Sequence, residues 1–205
     1  MPLAANQNGV DLKNLVQTEE GFSLKLGSAG VSSGASGAKV ASTTLPRDTL
    51  YGAVGAMFDF EVHGLNEAQR SASLVLPLSN PILPSARYRK FDGAQWVFFI
   101  EDANNTISSA ARIDGACPSV SSTTWQTGLR AGATCVRLRM NDGGPNDADG
   151  LVNGVIRDPG GVAVQRNVPE ETSVPSSGPN NGAGSFGWLL FASFMLLSGR
   201  RRKNL

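Results

Sequence analysis

The sequence predicts an all-β protein: an antiparallel β-sandwich, followed by a disordered linker and a short C-terminal hydrophobic helix. Short apolar or alternating segments recur about every 10–15 residues, with turn-forming residues between them. Glycine is abundant, at 24 of 205 residues, and no long stretch repeats its apolar residues with the period of a helix. Together these observations favour two antiparallel sheets packed on each other.

The N-terminal part of the domain is predicted to contain three strands and a loop. Residues 22–26 alternate apolar and polar side chains, which is typical of a strand with one face in water. Residues 27–36 are rich in glycine and serine and predict a loop, and residues 39–44 predict a short strand. Residues 57–62 place two phenylalanines and a valine on one face, with an aspartate and a glutamate on the other.

The middle of the chain is predicted to form a strand and a hairpin. Residues 71–78 are mostly apolar and predict the strand. Residues 86–91 and 95–101 flank Asp92-Gly93. This dipeptide predicts a hairpin turn because glycine readily adopts the positive φ that such turns need.

The last predicted strands are residues 134–140, where three apolar side chains alternate with two arginines, and residues 162–164. Cys135 falls on the arginine face, so a bridge from it to Cys117 would lie on the outer face of the sheet. The two cysteines could instead be buried thiols or half of a metal site. The single histidine makes a zinc site of the usual kind improbable, and an exported location favours a disulfide.

The domain organisation follows from changes in composition. Residues 1–20 form a polar N-terminal segment, residues 21–166 the β-sandwich domain, residues 167–183 a Pro/Ser/Gly linker, and residues 184–205 a C-terminal sorting or membrane segment. The chain does not begin with a secretory signal peptide, so we expect it to be a fragment of a longer exported protein with upstream domains. No basic stripe points to nucleic-acid binding.

The C-terminal segment places an apolar run, residues 186–197, before a basic cluster. The basic cluster would stay on the cytoplasmic side of a membrane, whereas the run is shorter than the roughly 20 residues of a spanning helix. It therefore suits a transient membrane stop that is later cut. The alternative is an amphipathic helix packed on the domain, but the large apolar residues cover all sides of such a helix.

The order of glycine-rich motif, apolar run and basic cluster resembles the GlyGly-CTERM type of bacterial sorting signal. The resemblance implies processing by a rhombosortase-type intramembrane protease and a transient membrane partner. It covers about 25 residues and rests on Gly182, Gly184, Ser185, Gly187, Arg200, Arg201, Arg202 and Lys203. Ala183 stands where a second glycine is expected, so the cut position is left open.

The domain itself resembles the choice-of-anchor U family over about residues 22–164. The matching segments are residues 58–65, 74–93, 96–110, Cys117-Pro118 and above all 141–162. The resemblance implies a domain that sits next to a C-terminal anchoring signal in bacterial surface proteins. It implies no enzymatic activity.

One loop has the spacing of a cation site. Hard oxygen ligands recur in residues 141–158 with a glycine for a sharp turn, and calcium binds such oxygens. The candidate metal ligands are Asp142, Asp147, Asp149, Asn153 and Asp158. The alternative is a set of Asx-turns, in which these side chains accept hydrogen bonds from their own backbone.

Catalytic patterns are weak. The Gly-x-Ser-x-Gly match at residues 30–34 is flanked by predicted loop instead of a strand and a helix, and His63 has no partner suggested by its spacing. We therefore expect a non-catalytic domain of an exported cell-surface protein. It would lie at the outer surface or periplasmic face of a Gram-negative bacterium, tethered at first to the inner membrane. The alternative is a calcium-stabilised module that binds carbohydrate or protein.

Overall fold

A computed structural model describes residues 15–167 of the chain, and the predicted linker and hydrophobic helix lie outside this range. The strands and the one helix within it are β1 (Gln17–Thr18), β2 (Ser23–Leu26), α1 (Ser28–Ser32), β3 (Lys39–Val40), β4 (Tyr51–Ala53), β5 (Met57–His63), β6 (Ser71–Pro77), β7 (Arg87–Phe91), β8 (Trp96–Phe98), β9 (Thr106–Ala110), β10 (Gln126–Thr127), β11 (Cys135–Asn141) and β12 (Val155–Gln165).

The strands form two antiparallel sheets. One sheet has the order β1-β6-β11-β9-β10, and the other has the order β2-β5-β12-β7-β8 with β3 beside β5 and β4 beside β12. Their inner faces pack together, which confirms the predicted β-sandwich. Strand β1 lies within the polar segment 1–20, so the sheet begins before residue 21.

The core lies between the two sheets because alternate side chains of each strand point to the same face. Each fully buried large apolar side chain contributes about 1.5–3 kcal/mol. The inner faces supply Phe58, Phe60 and Val62 from β5, Ala72, Leu74 and Leu76 from β6, Val136, Leu138 and Met140 from β11, and Ile156 and Val162 from β12. The predicted alternation in β5 and β11 therefore identifies core positions correctly.

The predicted disulfide is present between Cys117 and Cys135, with an S–S distance of 2.02 Å. It lies on the outer face of the five-stranded sheet, as the alternation in β11 predicts. Cys135 is nevertheless 0% exposed, because the bridge packs with Val75, Val120 and Trp125 in a small separate cluster. The bridge thus joins the long connection after β9 to the centre of the sheet.

The loop predicted at residues 27–36 is wrong for Ser28–Ser32, which form α1. Its N-terminus receives no cap from its own residues; the Asp59 carboxylate accepts a hydrogen bond from Gly30 N–H at 2.6 Å. A Cβ atom at Gly27 would lie 2.0 Å from Asp59 Oδ1, so only glycine fits. Asp59 is therefore buried beneath the helix instead of facing water, and burial raises its pKa.

The strand predictions differ from the structure in several places. Strands β4, β9 and β10 were not predicted; the sequence of β9, TISSA, is mostly small and polar. Strand β8 covers only part of the predicted 95–101 segment. Strand β12 extends well before the predicted 162–164 and passes through Pro159, a residue that usually argues against a central strand.

Within residues 15–167 no helix has the length and apolar character needed to cross a membrane. The apolar run 186–197 lies outside the described residues.

Candidate functional site

The acidic loop, residues 142–154, joins β11 to β12 and brings four of the five predicted metal ligands together. Asp142 is buried at its start. Its Oδ1 accepts a hydrogen bond from Asn153 N–H at 3.2 Å, and its Oδ2 accepts one from Gly154 N–H at 3.1 Å. The first aspartate of the loop therefore ties the end of the loop to its beginning.

Asp147 ties the same loop to the following strand. Its Oδ2 accepts a hydrogen bond from Gly143 N–H at 2.9 Å, and its Oδ1 accepts one from Arg157 N–H at 3.0 Å. Ala148 N–H donates to Arg157 C=O at 3.0 Å. Strand β7 pairs with β12 only from Gly160 onward, so the loop supplies the backbone partners that Arg157 would otherwise lack.

Asp149 and Asn153 form the outer part of the loop. Asp149 accepts hydrogen bonds from Leu151 N–H at 2.9 Å and from Asn153 Nδ2 at 3.0 Å. Arg157 Nη1 lies 3.3 Å from Asp149 Oδ2, and Arg157 Nε lies 3.1 Å from Glu61 Oε1. Because the Arg157 side chain is 48% exposed, these ion pairs contribute little to stability.

Every carboxylate oxygen of these three aspartates therefore accepts at least one hydrogen bond from the protein. Burial raises the pKa of Asp147, the amides of Gly143 and Arg157 oppose that shift, and the charges of Asp149 and Asp142 reinforce it. Within the described part of the chain, no group of three or more His, Cys, Asp or Glu side chains is placed to hold a metal ion. Asp149 and Asn153 form Asx-turns, each accepting a hydrogen bond from the backbone N–H two residues on, whereas Asp142 and Asp147 accept from amides more distant in the chain.

Asp158, the fifth predicted ligand, has a different environment. It lies within β12 opposite Phe60, and its side chain points into the core. Tyr88 Oη donates a hydrogen bond to Asp158 Oδ2 at 2.8 Å, and Lys90 Nζ forms an ion pair with Asp158 Oδ1. Lys90 is 2% exposed and Asp158 is 0% exposed, so a full charge pair is buried between the sheets.

Sequence reasoning missed Tyr88 and Lys90. They were assigned only to a hairpin strand, ARYRKF. The signal that could have found them is their spacing: residues two apart on a strand share a face, and Tyr88 belongs to the core cluster. A lysine on that same face needs a buried partner of opposite charge.

A second cationic site lies on the outer face of the same sheet. The Arg89 guanidinium carbon lies 4.5 Å from the Phe98 ring centroid and 4.7 Å from the Tyr51 ring centroid. Its Nε donates to Asp48 Oδ2 at 2.8 Å. Burial alone would raise the pKa of Asp48, but hydrogen bonds from Arg89 and from two backbone amides outweigh it and lower the pKa. Phe98 is 46% exposed.

An exposed apolar group accompanies the acidic loop. Leu151 and Val152 are in the loop itself, and Ile100 lies beside it, since Ile100 exchanges two backbone hydrogen bonds with the Asn146 side chain at 2.9 and 2.7 Å. All three apolar side chains are exposed.

A polar cleft of about 940 Å³ lies on a different part of the domain, along the outer face of the five-stranded sheet beside Arg137 and Arg139.

The two weak catalytic patterns have structural partners. His63 Nε2 lies 2.8 Å from Glu61 Oε2, so the expectation that its spacing suggests no partner is wrong; the two residues share a strand face. Ser32, in the Gly-x-Ser-x-Gly match, ends α1 and donates its hydroxyl to Ser28 C=O at 2.8 Å. Its hydroxyl is thus bonded within the helix. The sorting-signal residues lie outside residues 15–167.

Comparison with known proteins adds no relative: no family model, no curated protein and no solved structure matches this chain.

Proposed function

We propose that the chain is a non-catalytic domain of an exported bacterial cell-surface protein, delivered and anchored through a processed C-terminal signal. The observation that carries the proposal is the Cys117–Cys135 disulfide. Disulfides of this structural kind persist in oxidising compartments and are rare in the cytosol. The bridge is buried in its own apolar cluster, so it is part of the folded domain and not an exposed, exchangeable bond.

The polar groups of the domain support the same proposal. In residues 15–167, each buried side-chain nitrogen or oxygen atom has a hydrogen-bond partner. Asp142 and Asp147 bind backbone amides, and Asp158 binds Tyr88 and Lys90. These charges hold loops and strands in place, which suits a domain that presents or spaces other parts of a surface protein.

The proposal is tested by expressing the full chain behind a signal peptide in a Gram-negative host, with and without a co-expressed rhombosortase. We expect intact mass spectrometry to show removal of the residues after about Gly184 only when the protease is present. Replacing Arg200, Arg201 and Arg202 by glutamine should abolish the membrane-tethered intermediate. A chain that is soluble and uncut in both hosts would contradict the sorting role.

A second candidate is a calcium-stabilised module that binds carbohydrate or protein. It is favoured by the grouping of Asp142, Asp147 and Asp149 beside exposed Leu151 and Val152. Burial raises the pKa of Asp147, and the charges of Asp149 and Asp142 raise it further. Calcium would relieve this repulsion, since each carboxylate oxygen has a second lone pair. Isothermal calorimetry with calcium, using Asp149→Asn as the control, separates the candidates: saturable binding that the variant loses supports the module.

A further inference from the structure

The ion pair of Lys90 and Asp158 lies in the core, where charged groups are rare. Lys90 on β7 lies opposite Gly160 on β12, so Asp158 is two residues away on the same strand and the same face. Phe60 faces Asp158 from β5, and the Tyr88 ring is part of the core cluster. The two reactive groups are therefore held together by adjacent strands and enclosed by the sandwich.

Amide formation requires an unprotonated amine in contact with a carboxylic acid. Transfer of one proton within the ion pair, from the Lys90 ammonium to the Asp158 carboxylate, gives both groups in neutral form. These are the reactants of amide formation. Because the strands fix them in contact, the effective concentration of one for the other is high.

We propose that Lys90 and Asp158 condense spontaneously into an intramolecular isopeptide bond. In this step Lys90 Nζ attacks Asp158 Cγ, the Nζ–Cγ bond forms and the Cγ–Oδ1 bond breaks. The ammonium nitrogen gives up two protons in all, and both leave with Oδ1 as one molecule of water. No atom is oxidised or reduced, so the reaction needs no co-reactant, and the two buried charges become one neutral amide.

Tyr88 is placed to assist this reaction. Its hydroxyl donates to Asp158 Oδ2 at 2.8 Å, the oxygen that remains in the amide and carries negative charge in the tetrahedral intermediate. A fixed donor at that position stabilises the developing charge. Burial foremost, and then the charge of Asp158, raise the pKa of Tyr88 well above its usual value, so the hydroxyl remains a donor.

Gly160 leaves room for the two groups to meet. A Cβ atom at this position would lie 3.2 Å from Asp158 Oδ1, 3.2 Å from Tyr88 Cε1 and 2.6 Å from Arg89 C=O. Any side chain would therefore press on the reacting carboxylate and on the neighbouring strand. Because residue 160 has no side chain, nothing at this position blocks the approach of Lys90 Nζ to Asp158 Cγ.

The test is the intact mass of the purified, reduced and denatured full chain. The expected mass is lower than that of the sequence by one water, and proteolysis should give a branched peptide that joins the segment around Lys90 to the segment around Asp158. Lys90→Met and Asp158→Ala should restore the full mass. Lys25→Met, a matched change on the partly exposed strand β2, should leave the water loss intact. Tyr88→Phe should slow the loss at least tenfold after refolding.

Two results would overturn the proposal. One is a wild-type chain that keeps its full mass after prolonged incubation in the folded state, which would leave the pair as ionic. The other is a loss of water that persists in Lys90→Met, because succinimide formation at an Asp-Gly sequence such as Asp92-Gly93 or Asp149-Gly150 releases the same mass. The search for the branched peptide uses only the wild-type protein, so a variant that fails to fold does not affect it.

Discussion

Asp147 in the acidic loop and Asp158 in β12 are both buried carboxylates, but their partners differ in kind. Asp147 accepts hydrogen bonds from the backbone amides of Gly143 and Arg157. Asp158 is bonded to the side chains of Tyr88 and Lys90. The first carboxylate is stabilised by peptide dipoles of its own loop and of the start of β12, and the second by a lysine that reaches it from another strand.

This difference determines what each residue contributes. Removing the loop carboxylate leaves amide donors without their acceptor at the edge of the domain, where water molecules can accept some of these hydrogen bonds. Removing either member of the core pair leaves the other ionisable group without its partner between two sheets, where water cannot take the partner's place. The two regions should therefore differ in the size and in the pH dependence of their effects on stability.

The largest effect is expected for the core pair. Lys90→Met keeps most of the apolar volume but leaves the Asp158 carboxyl without the side chain that neutralises it, as an ion pair or as an amide. We expect a loss of about 3–5 kcal/mol in the free energy of unfolding. Urea denaturation followed by tryptophan fluorescence measures it. Lys25→Met, at a partly exposed position, is the control and should change stability by about 0.5 kcal/mol or less. Equal effects of the two variants would contradict the contrast between core and surface.

The disulfide should rank next. Replacing Cys117 and Cys135 by serine removes a covalent constraint on the unfolded chain. For the loop that this bridge closes, the constraint contributes about 3 kcal/mol to the free energy of unfolding. The hydroxyls would also enter the apolar cluster of Val75 and Trp125. Thermal unfolding of the double variant, compared with wild type with and without reductant, checks the value. An unchanged Tm would show that the bridge does not stabilise the fold.

Within the acidic loop, the inner aspartate should matter more than the outer one. Asp147→Ala leaves the N–H groups of Gly143 and Arg157 without their acceptors and should cost about 1–3 kcal/mol. Asp149→Ala loses mainly partly exposed partners and should cost about 1 kcal/mol or less. Amide hydrogen exchange gives a local readout: Arg157 should lose protection in the first variant and keep it in the second. The reverse order would contradict the role assigned to Asp147.

The smallest effects concern pH. Burial raises the pKa of Asp147 in the folded state, so the folded protein binds its proton more tightly and stability is lost as pH rises through that raised pKa. The side-chain hydrogen bond from Asn105 lowers the pKa of Asp102, so its contribution is lost as pH falls. We expect Asp147→Asn to flatten the first slope and Asp102→Asn the second, in Tm measured from about pH 3 to pH 7. Parallel curves for both variants would contradict these assignments.

Sequence reasoning identified the sandwich, the core faces of β5 and β11, and the disulfide, because each depends on local alternation or on a residue type with few alternatives. It failed where the deciding contact is distant in sequence. Asp59 was assigned correctly to the face opposite Phe58 and Phe60, but its burial was not predicted because α1, which covers it, was predicted as a loop. Asp158 was grouped with the acidic loop because it follows the other oxygen ligands in the sequence, whereas the structure places it within β12. The partner of Asp158 lies on β7, far along the chain.

The buried Cys117–Cys135 disulfide is the observation that supports the proposed export of this domain. The most direct measurement is thiol alkylation with intact mass analysis of the full chain, recovered in parallel from the periplasm, behind a signal peptide, and from the cytoplasm. The account predicts that neither Cys117 nor Cys135 is alkylated in the periplasmic protein until reductant and denaturant are added, and that the cytoplasmic protein is less stable. A folded periplasmic protein with both thiols free would contradict it.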